Sequence, residues 1–585
     1  MGQHAGMGAI PFDGGVAFRV WAPHADSVAV IGDFNGWDAG ATAMDREDNG
    51  YWYAETSANL GQEYKYELKH GDQTFQRIDP YARKVTNSVG NGIIYDHGQF
   101  DWGNDQPGLH SLDDLVIYEL HVGSFNAQQG RGSFESVAAR LDYLKSLGVN
   151  AIELMPVMEF AGDDSWGYNP AHLFAVESTL GGPDGLKQLV RQAHERGIAV
   201  IVDVVYNHFG PSDLPTWQFD GWSESDDKGG IYFYNDDRSS TPWGDTRPDY
   251  GREEVRAFIR DNAIMWLRDF HADGLRFDMT PYIRSKDGSG MDIPEGWAMM
   301  REVNSVVREH FPDRLLIAED MQQNPAVSYT GDGGAAFHSQ WDGAFVHPVR
   351  EALKAENDDQ RSLEALAGAI LKKYNDNAFE RVIYTESHDE VANGKARVPL
   401  EVAPDDTSGE LAQKLATLGA ATLLTSPGIP MLFMGQEFLQ DGWFQDTVPL
   451  DWSLTEKVPG VLGIWRDLIA LRRNATGRSR GLQGQHTEIV HADDDANVIG
   501  YHRWAEGGTN DSVFVVLNFS GEARTDLPVR FPAAGNWELL LNTDAPGYSD
   551  EYGSVDSHSV TAEGDQAAAR INVGPYTGLV FGRID

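Results

Sequence analysis

The stretch that decides the fold is Ser133-Phe-Glu-Ser-Val-Ala-Ala-Arg-Leu-Asp-Tyr-Leu-Lys-Ser-Leu-Gly-Val-Asn-Ala-Ile-Glu-Leu-Met155. Phe134, Val137, Leu141, Leu144 and Leu147 recur at steps of three or four, which predicts a helix with one buried face. Ser133 is placed to cap it, and Gly148 to end it. Ala151–Met155 then reads as a short buried strand. The same alternation extends both ways, from a strand at Val116–Leu120 to an amphipathic helix over 184–196 and a strand at Ala199–Val205. Further strand candidates are Gly274–Phe277, Leu315–Ala318, Val382–Tyr384 and Met431–Met434, and Ile464–Arg473 reads as a helix. A βα series this long favours a (β/α)8 barrel over residues 106–477, although pattern alone does not separate it from an open doubly wound sheet.

On either side the texture is β. Val16–Trp21, Ser27–Ile31, Tyr51–Glu55 and Glu63–Glu67, punctuated by turn residues, predict a small sandwich over 1–105. Packing and sugar binding are equal readings of that module. Val498–Arg503, Ser512–Asn518, Trp537–Leu541 and Gly578–Phe581 predict a closing antiparallel domain over 478–585. A loop insertion near 209–250, rich in Trp, Tyr and Asp, is placed to supply or block a groove at the barrel mouth.

With 16 Trp, 21 Tyr and 26 Phe, the chain has ample apolar surface for several cores. It lacks a run long enough to span a membrane and a basic, apolar secretory start, so a cytoplasmic protein is expected. There are no cysteines, which excludes disulfide and thiolate chemistry. The 89 acidic residues against 46 basic give a formal net charge of −43. Such a field repels phosphate backbones and argues against a nucleic-acid partner. Because the acids are dispersed, the charge suits a hydrated surface in high salt, and a halophilic source is expected.

Four polar clusters end strand candidates, the position where barrel active sites form. They are Asp203-Val-Val-Tyr-Asn-His208, Asp273-Gly-Leu-Arg-Phe-Asp278, Leu315-Leu-Ile-Ala-Glu-Asp320 and Glu386-Ser-His-Asp389. Each alone has a bland reading. His208 would be a buried hydrogen-bonded histidine, Asp203 and Asn207 turn formers, and Arg276 with Asp278 an interior ion pair. Asp320 would be a helix cap, and His388 with Asp389 a turn pair. Together they fit retaining glycoside cleavage, which needs a nucleophilic carboxylate and a carboxylic acid about 5–5.5 Å apart. Further charge and positioned hydrogen bonds then stabilise an oxocarbenium-like transition state.

Taken in order, the clusters resemble the four signature regions of the α-amylase family, glycoside hydrolase family 13. The resemblance implies Asp278 as nucleophile, Glu319 as general acid/base and Asp389 as transition-state stabiliser. It implies substrate-binding roles for Arg276, His208, His388 and Asp203, and for Tyr168 in Trp166-Gly-Tyr-Asn-Pro170 as an aromatic stacking on the sugar. Trp166 itself is read as a packing aromatic of the rim. Asn207 is the residue type that binds calcium in many members, and no organic cofactor is needed. Phe18–Pro23, Val30–Trp37 and Asp79–Ala82 resemble the modules that precede branching, debranching and trehalose-releasing members.

Glu386–Val391, Gly394-Lys395, Ala318–Asp320, Met434–Phe438 and Leu540–Ala545 are similar to 1,4-α-glucan branching enzymes. Glu119–Phe125, Asp203–Pro211 and Thr241–Asp245 are similar to maltooligosyltrehalose trehalohydrolases. The expectation is a branching transferase acting on α-glucans as a monomer or weak oligomer. A hydrolase is the alternative. A catalytically silent glucan binder is disfavoured by the intact Asp278, Glu319 and Asp389.

Overall fold

The computed structural model describes residues 2–106, 108, 110–127 and 130–585. Its centre is a closed barrel of eight parallel strands. In chain order these are β1 (Ile117–Leu120), β2 (Ala151–Leu154), β3 (Ala199–Val204), β4 (Gly274–Phe277), β5 (Leu315–Ala318), β6 (Ser339–Trp341), β7 (Arg381–Ile383) and β8 (Ile429–Phe433). β8 closes the ring on β1, Met431 opposite Ile117. Between β3 and β4, Asp203 lies opposite Arg276, and that register brings two of the clusters side by side.

Seven of these strands coincide with sequence expectations to within two residues at each end. β6 does not, because Ser339-Gln-Trp341 is three residues long and carries no apolar run. It is a strand only because β5 and β7 pair with its two sides.

The helix expected from Ser133 to Gly148 is two pieces, Phe134–Ala138 and Leu141–Leu147. Ser133 does cap it, accepting from Ser136 N, and Gly148 (φ 102°) closes it in the left-handed region that glycine adopts without strain. The break falls at Arg140, whose guanidinium lies 3.9 Å from the centre of the Trp452 ring. All five periodic apolar residues are still buried, so the face survives the interruption.

The N-terminal sandwich pairs a sheet of Gly8–Phe12, Gly15–Trp21, Tyr51–Thr56 and Asp45–Arg46 with a sheet of Ser27–Gly32, Glu63–His70, Gln73–Arg77 and Gly92–Ile93. It grips the insertion near 209–250. Asp220 accepts from His24 N at 2.9 Å, and Arg77 donates to the carbonyls of Gln218 and Phe219. That insertion contains only short 3-10 turns, yet Phe219, Ile231, Tyr232, Phe233 and Tyr234 are buried in it. It is a packed wall of the barrel mouth. Each such buried aromatic or aliphatic side chain contributes about 1.5–3 kcal/mol by leaving water.

At the other end, a six-stranded antiparallel sheet and a two-stranded ribbon (Arg524–Arg530 with Ala568–Val573) form the C-terminal domain. The helix Glu410–Thr425 is buried around most of its circumference between barrel and sheet, which explains its apolar composition. Gly578 lies so close to it that a Cβ there would stand 2.8 Å from that of Ala421. Among the described residues, no helix is long and apolar enough to cross a membrane.

Candidate active site

At the C-terminal ends of β3, β4 and β5 a single guanidinium organises the carboxylates. Arg276 points inward from β4 and is fully buried. Its Nη1 donates to Asp203 Oδ2 at 2.7 Å and to Asp278 Oδ1 at 3.1 Å, and its Nη2 pairs with Glu319 Oε2 at 2.9 Å. Three acids from three strand ends thus share one cation, the arrangement that makes their burial tolerable.

Asp278 is held a second time. Asn207 Nδ2 donates to its Oδ2 at 2.6 Å and to its carbonyl at 3.0 Å. Asn207 Oδ1 faces His208 Nδ1, so both ends of that amide are engaged within the site. Among the described residues no group of three or more His, Cys, Asp or Glu is placed to hold a metal ion.

Glu319 accepts from Met279 N at 2.8 Å. Met279 holds a left-handed backbone (φ 39°, ψ 55°), a conformation costing about 1–2 kcal/mol for a residue with a side chain. The strained turn directly after Asp278 aims that N–H at the neighbouring carboxylate.

Burial raises both Asp278 and Glu319 above the ordinary carboxylate range, Arg276 opposing it in each case. Burial likewise lifts Asp203 to about 6, against Arg276 and the Tyr168 hydroxyl, which donates to Asp203 at 2.6 Å. His208 is pulled down to about 4 by burial. Its Nε2 lies 2.8 Å from the carbonyl of Tyr168.

These groups back a pocket of about 560 Å³, walled by Trp166, Tyr168, Trp243, Asp278, His388 and Asp389 among others. The Tyr168 ring stacks on His388 at 5.0 Å, and Trp243 stacks on His208 at 4.8 Å. Asp389 stands at the mouth, its side chain 45% exposed. A concave, aromatic-walled site with a few convergent carboxylates suits a polyhydroxylated ring, whose faces are apolar and whose edges bond.

The structure brings all four sequence clusters to one rim, but not in equal roles. Asp278, Asp389, His388 and Tyr168 face the pocket. Asp203, Arg276 and His208 are packed behind it and touch the residues that do. Asp320 is not the helix cap that its sequence suggests. Its carboxylate accepts from Arg284 Nε and Nη2, both at 3.1 Å, in a buried ion pair. Trp166, read as a packing aromatic, both packs on Phe444 at 5.0 Å and lines the pocket.

Three contributors were not legible. Trp243 reaches the wall from the insertion, and only its folding puts it there. Met279 acts through its backbone, which leaves no mark on the side-chain sequence. Glu119 holds His388 from inside the barrel, and its signal was an acid within the apolar run of β1, where it is costly unless paired.

Comparisons with known proteins agree with this geometry. Residues 81–241 and 216–460 match the family described as alpha amylase, catalytic domain. Residues 5–82 match carbohydrate-binding module 48, the isoamylase N-terminal domain, and 489–583 match the alpha amylase C-terminal all-beta domain. The chain is 31% identical over 616 residues to the 1,4-alpha-glucan branching enzyme GlgB of Salinibacter ruber, covering 98% of this chain and 96% of that one. It is 33% identical over 587 residues to the protein of the same name from Rhodospirillum rubrum, covering 93% and 76%. Among solved structures, a putative alpha amylase from Salmonella typhimurium superposes with a TM-score of 0.76 at 23% identity, over 99% of both chains. A pullulanase from Paenibacillus barengoltzii gives 0.79 at 23% identity, over 100% and 96%, and at such identity these likenesses speak to the fold. Closed barrel, flanking β domains and a family match across most of the chain lead to one conclusion: the chain belongs to the α-amylase family and is an enzyme, a glycosyl transferase or glycoside hydrolase.

Proposed function

We propose that this enzyme cleaves α-1,4-glucosidic bonds with retention and passes the released glucan to a 6-hydroxyl, making branch points. The observation that carries the cleavage step is Arg276, which donates from Nη1 to Asp278 and ion-pairs through Nη2 with Glu319. Asp278, kept ionised by Arg276 and Asn207, attacks the anomeric carbon and takes the sugar as a covalent glycosyl-enzyme. Glu319, whose burial favours the protonated form, gives its proton to the departing glycosidic oxygen. It takes a proton back from the acceptor hydroxyl in the second displacement. Asp389, facing the pocket, offers negative charge to the oxocarbenium-like transition state. Tyr168 and His388 orient the ring that is cleaved, and no organic cofactor enters.

Near-full-length similarity to proteins named branching enzymes supports a glucan acceptor over water. Hydrolysis is the second reading, favoured by Trp243, because its Thr241–Asp245 motif resembles trehalohydrolases and stands in the pocket wall. Incubation with amylose separates the two. Branching gives loss of iodine colour and new α-1,6 linkages with few new reducing ends. Abundant reducing ends without α-1,6 linkages would sink the branching reading, and released trehalose would select the trehalohydrolase.

A further inference from the structure

Glu119 is the acid that the catalytic reading leaves without a task. It sits in β1 with its side chain 1% exposed, in a strand otherwise made of Ile117, Tyr118 and Leu120. An ionised group so placed persists only where it is paired and hydrogen-bonded. Both of its oxygens go to one residue on the opposite part of the chain. Oε2 accepts from the backbone N–H of His388 at 3.1 Å, and Oε1 accepts from His388 Nδ1.

We propose that Glu119 is a positioning residue that grips His388 by both its backbone and its ring, so that Nε2–H is held toward the pocket as a standing hydrogen-bond donor. The proposal deepens the reading of this pocket as the glucan-cleaving site and rests on it. Glu119 takes the Nδ1 proton, so Nε2 bears one of its own only when the ring is the imidazolium, the form that a buried carboxylate partner stabilises. In a neutral ring the bond to Glu119 would keep the single proton on Nδ1, and Nε2 would present a lone pair to the pocket.

The surroundings of His388 agree. The ring is clamped between Tyr168, stacked at 5.0 Å, an edge contact with Trp166 and a tilted contact with Trp341. Charged and titratable groups face it from every side: Glu119 and His121 from the β1 end, Glu153 from β2, Asp203 from β3, Arg276 from β4, and Asp389 beside it. Burial works against a charged ring, yet Glu119 and then Asp389 outweigh it and hold His388 up to about 9. Glu153, the register partner of Glu119 on β2, is pushed well above the carboxylate range by burial, and His121 is pulled down to about 4 by the same cause. Glu119 is thus the group facing His388 that bonds its ring directly. Nε2 is left on the pocket side, 3.7 Å from Asp389 Oδ1.

The test is Glu119→Gln in the full chain, which keeps the side-chain shape and removes the charge. Histidine-labelled protein, with His388→Gln to assign the signal, is titrated by NMR without any glucan. The expected result is a fall of about one pH unit or more in the His388 midpoint, with the alkaline limb of glucan cleavage moving down with it. In a His388→Gln background, Glu119→Gln should add no further loss of kcat. An unchanged His388 midpoint, or losses that simply multiply in the double variant, overturns the proposal. If Glu119→Gln does not fold, the wild-type titration decides, because a midpoint at or below the ordinary value of about 6.5 is incompatible with it. Since that titration needs no substrate, a chain inert toward amylose but with a raised His388 midpoint would fail the catalytic reading and not the hold of Glu119 on His388.

Discussion

The two ends of the pocket hold their carboxylates under opposite conditions. At β4 and β5, Asp278 and Glu319 are 7% and 5% exposed and are bound by Arg276, with Asn207 on one and Met279 N on the other. At β7, Asp389 is 45% exposed, with His388 at 3.7 Å and an Asn393 amide at 3.5 Å. The difference teaches which acids the protein controls. A buried carboxylate takes its protonation and direction from fixed neighbours, so chemistry that needs one acid ionised and another protonated belongs at the β4–β5 end. A half-exposed one is already solvated and contributes charge at a place, with little bonding to fix its angle.

Breaking the buried end should have the largest effect. Asp278→Asn keeps the shape and removes the nucleophile, so turnover on amylose should fall by about 10⁴-fold or more with thermal unfolding little changed. Appreciable residual turnover would refute Asp278 in that role. Arg276→Met leaves Asp203, Asp278 and Glu319 without their shared cation. Denaturant unfolding should show a loss of about 3–5 kcal/mol, and a loss below 1 kcal/mol would mean that water reaches those acids after all. Next comes pH. Burial raises Asp278 and Asn207 lowers it, so Asn207→Ala should move the acidic limb of kcat/KM upward, since the nucleophile then protonates at higher pH. A downward shift would reverse the assignment.

The exposed end should be tolerant. Asn393→Ala removes a long, solvent-exposed bond to Asp389 and should change kcat by less than about threefold; a tenfold loss would show that Asp389 is as tightly directed as Asp278. Salt bears on the same contrast, because screening acts on exposed charges and spares buried ones. With a formal net charge of −43, the melting temperature should rise between dilute and molar salt, as a halophilic protein requires. Indifference to salt would remove that reading.

Much of the barrel was legible because its strands are buried on both faces and therefore read as apolar runs between amphipathic helices. β6 was not, since Ser339-Gln-Trp341 becomes a strand only through its neighbours' ladders. The carboxylates were legible for the converse reason: an acid ending an apolar run is costly, and four such places in order are too many to be accidental. Asp320 obeyed the same signal and misled, because the sequence did not show that Arg284 would meet it.

The order of the four clusters, their residue types and the periodicity around them determined the fold class and the family, and singled out Asp278, Glu319 and Asp389 as candidates. Those are properties of local pattern, and local pattern is written in the chain. Which groups face the pocket and which stand behind was decided by tertiary structure. Arg276 reads as a partner of Asp278 alone until β3 and β5 bring Asp203 and Glu319 to it. Glu119 and His388, 269 positions apart, meet only because β8 closes the ring on β1. Long-range pairing of buried charges has no local signature, and barrel closure is what selects it.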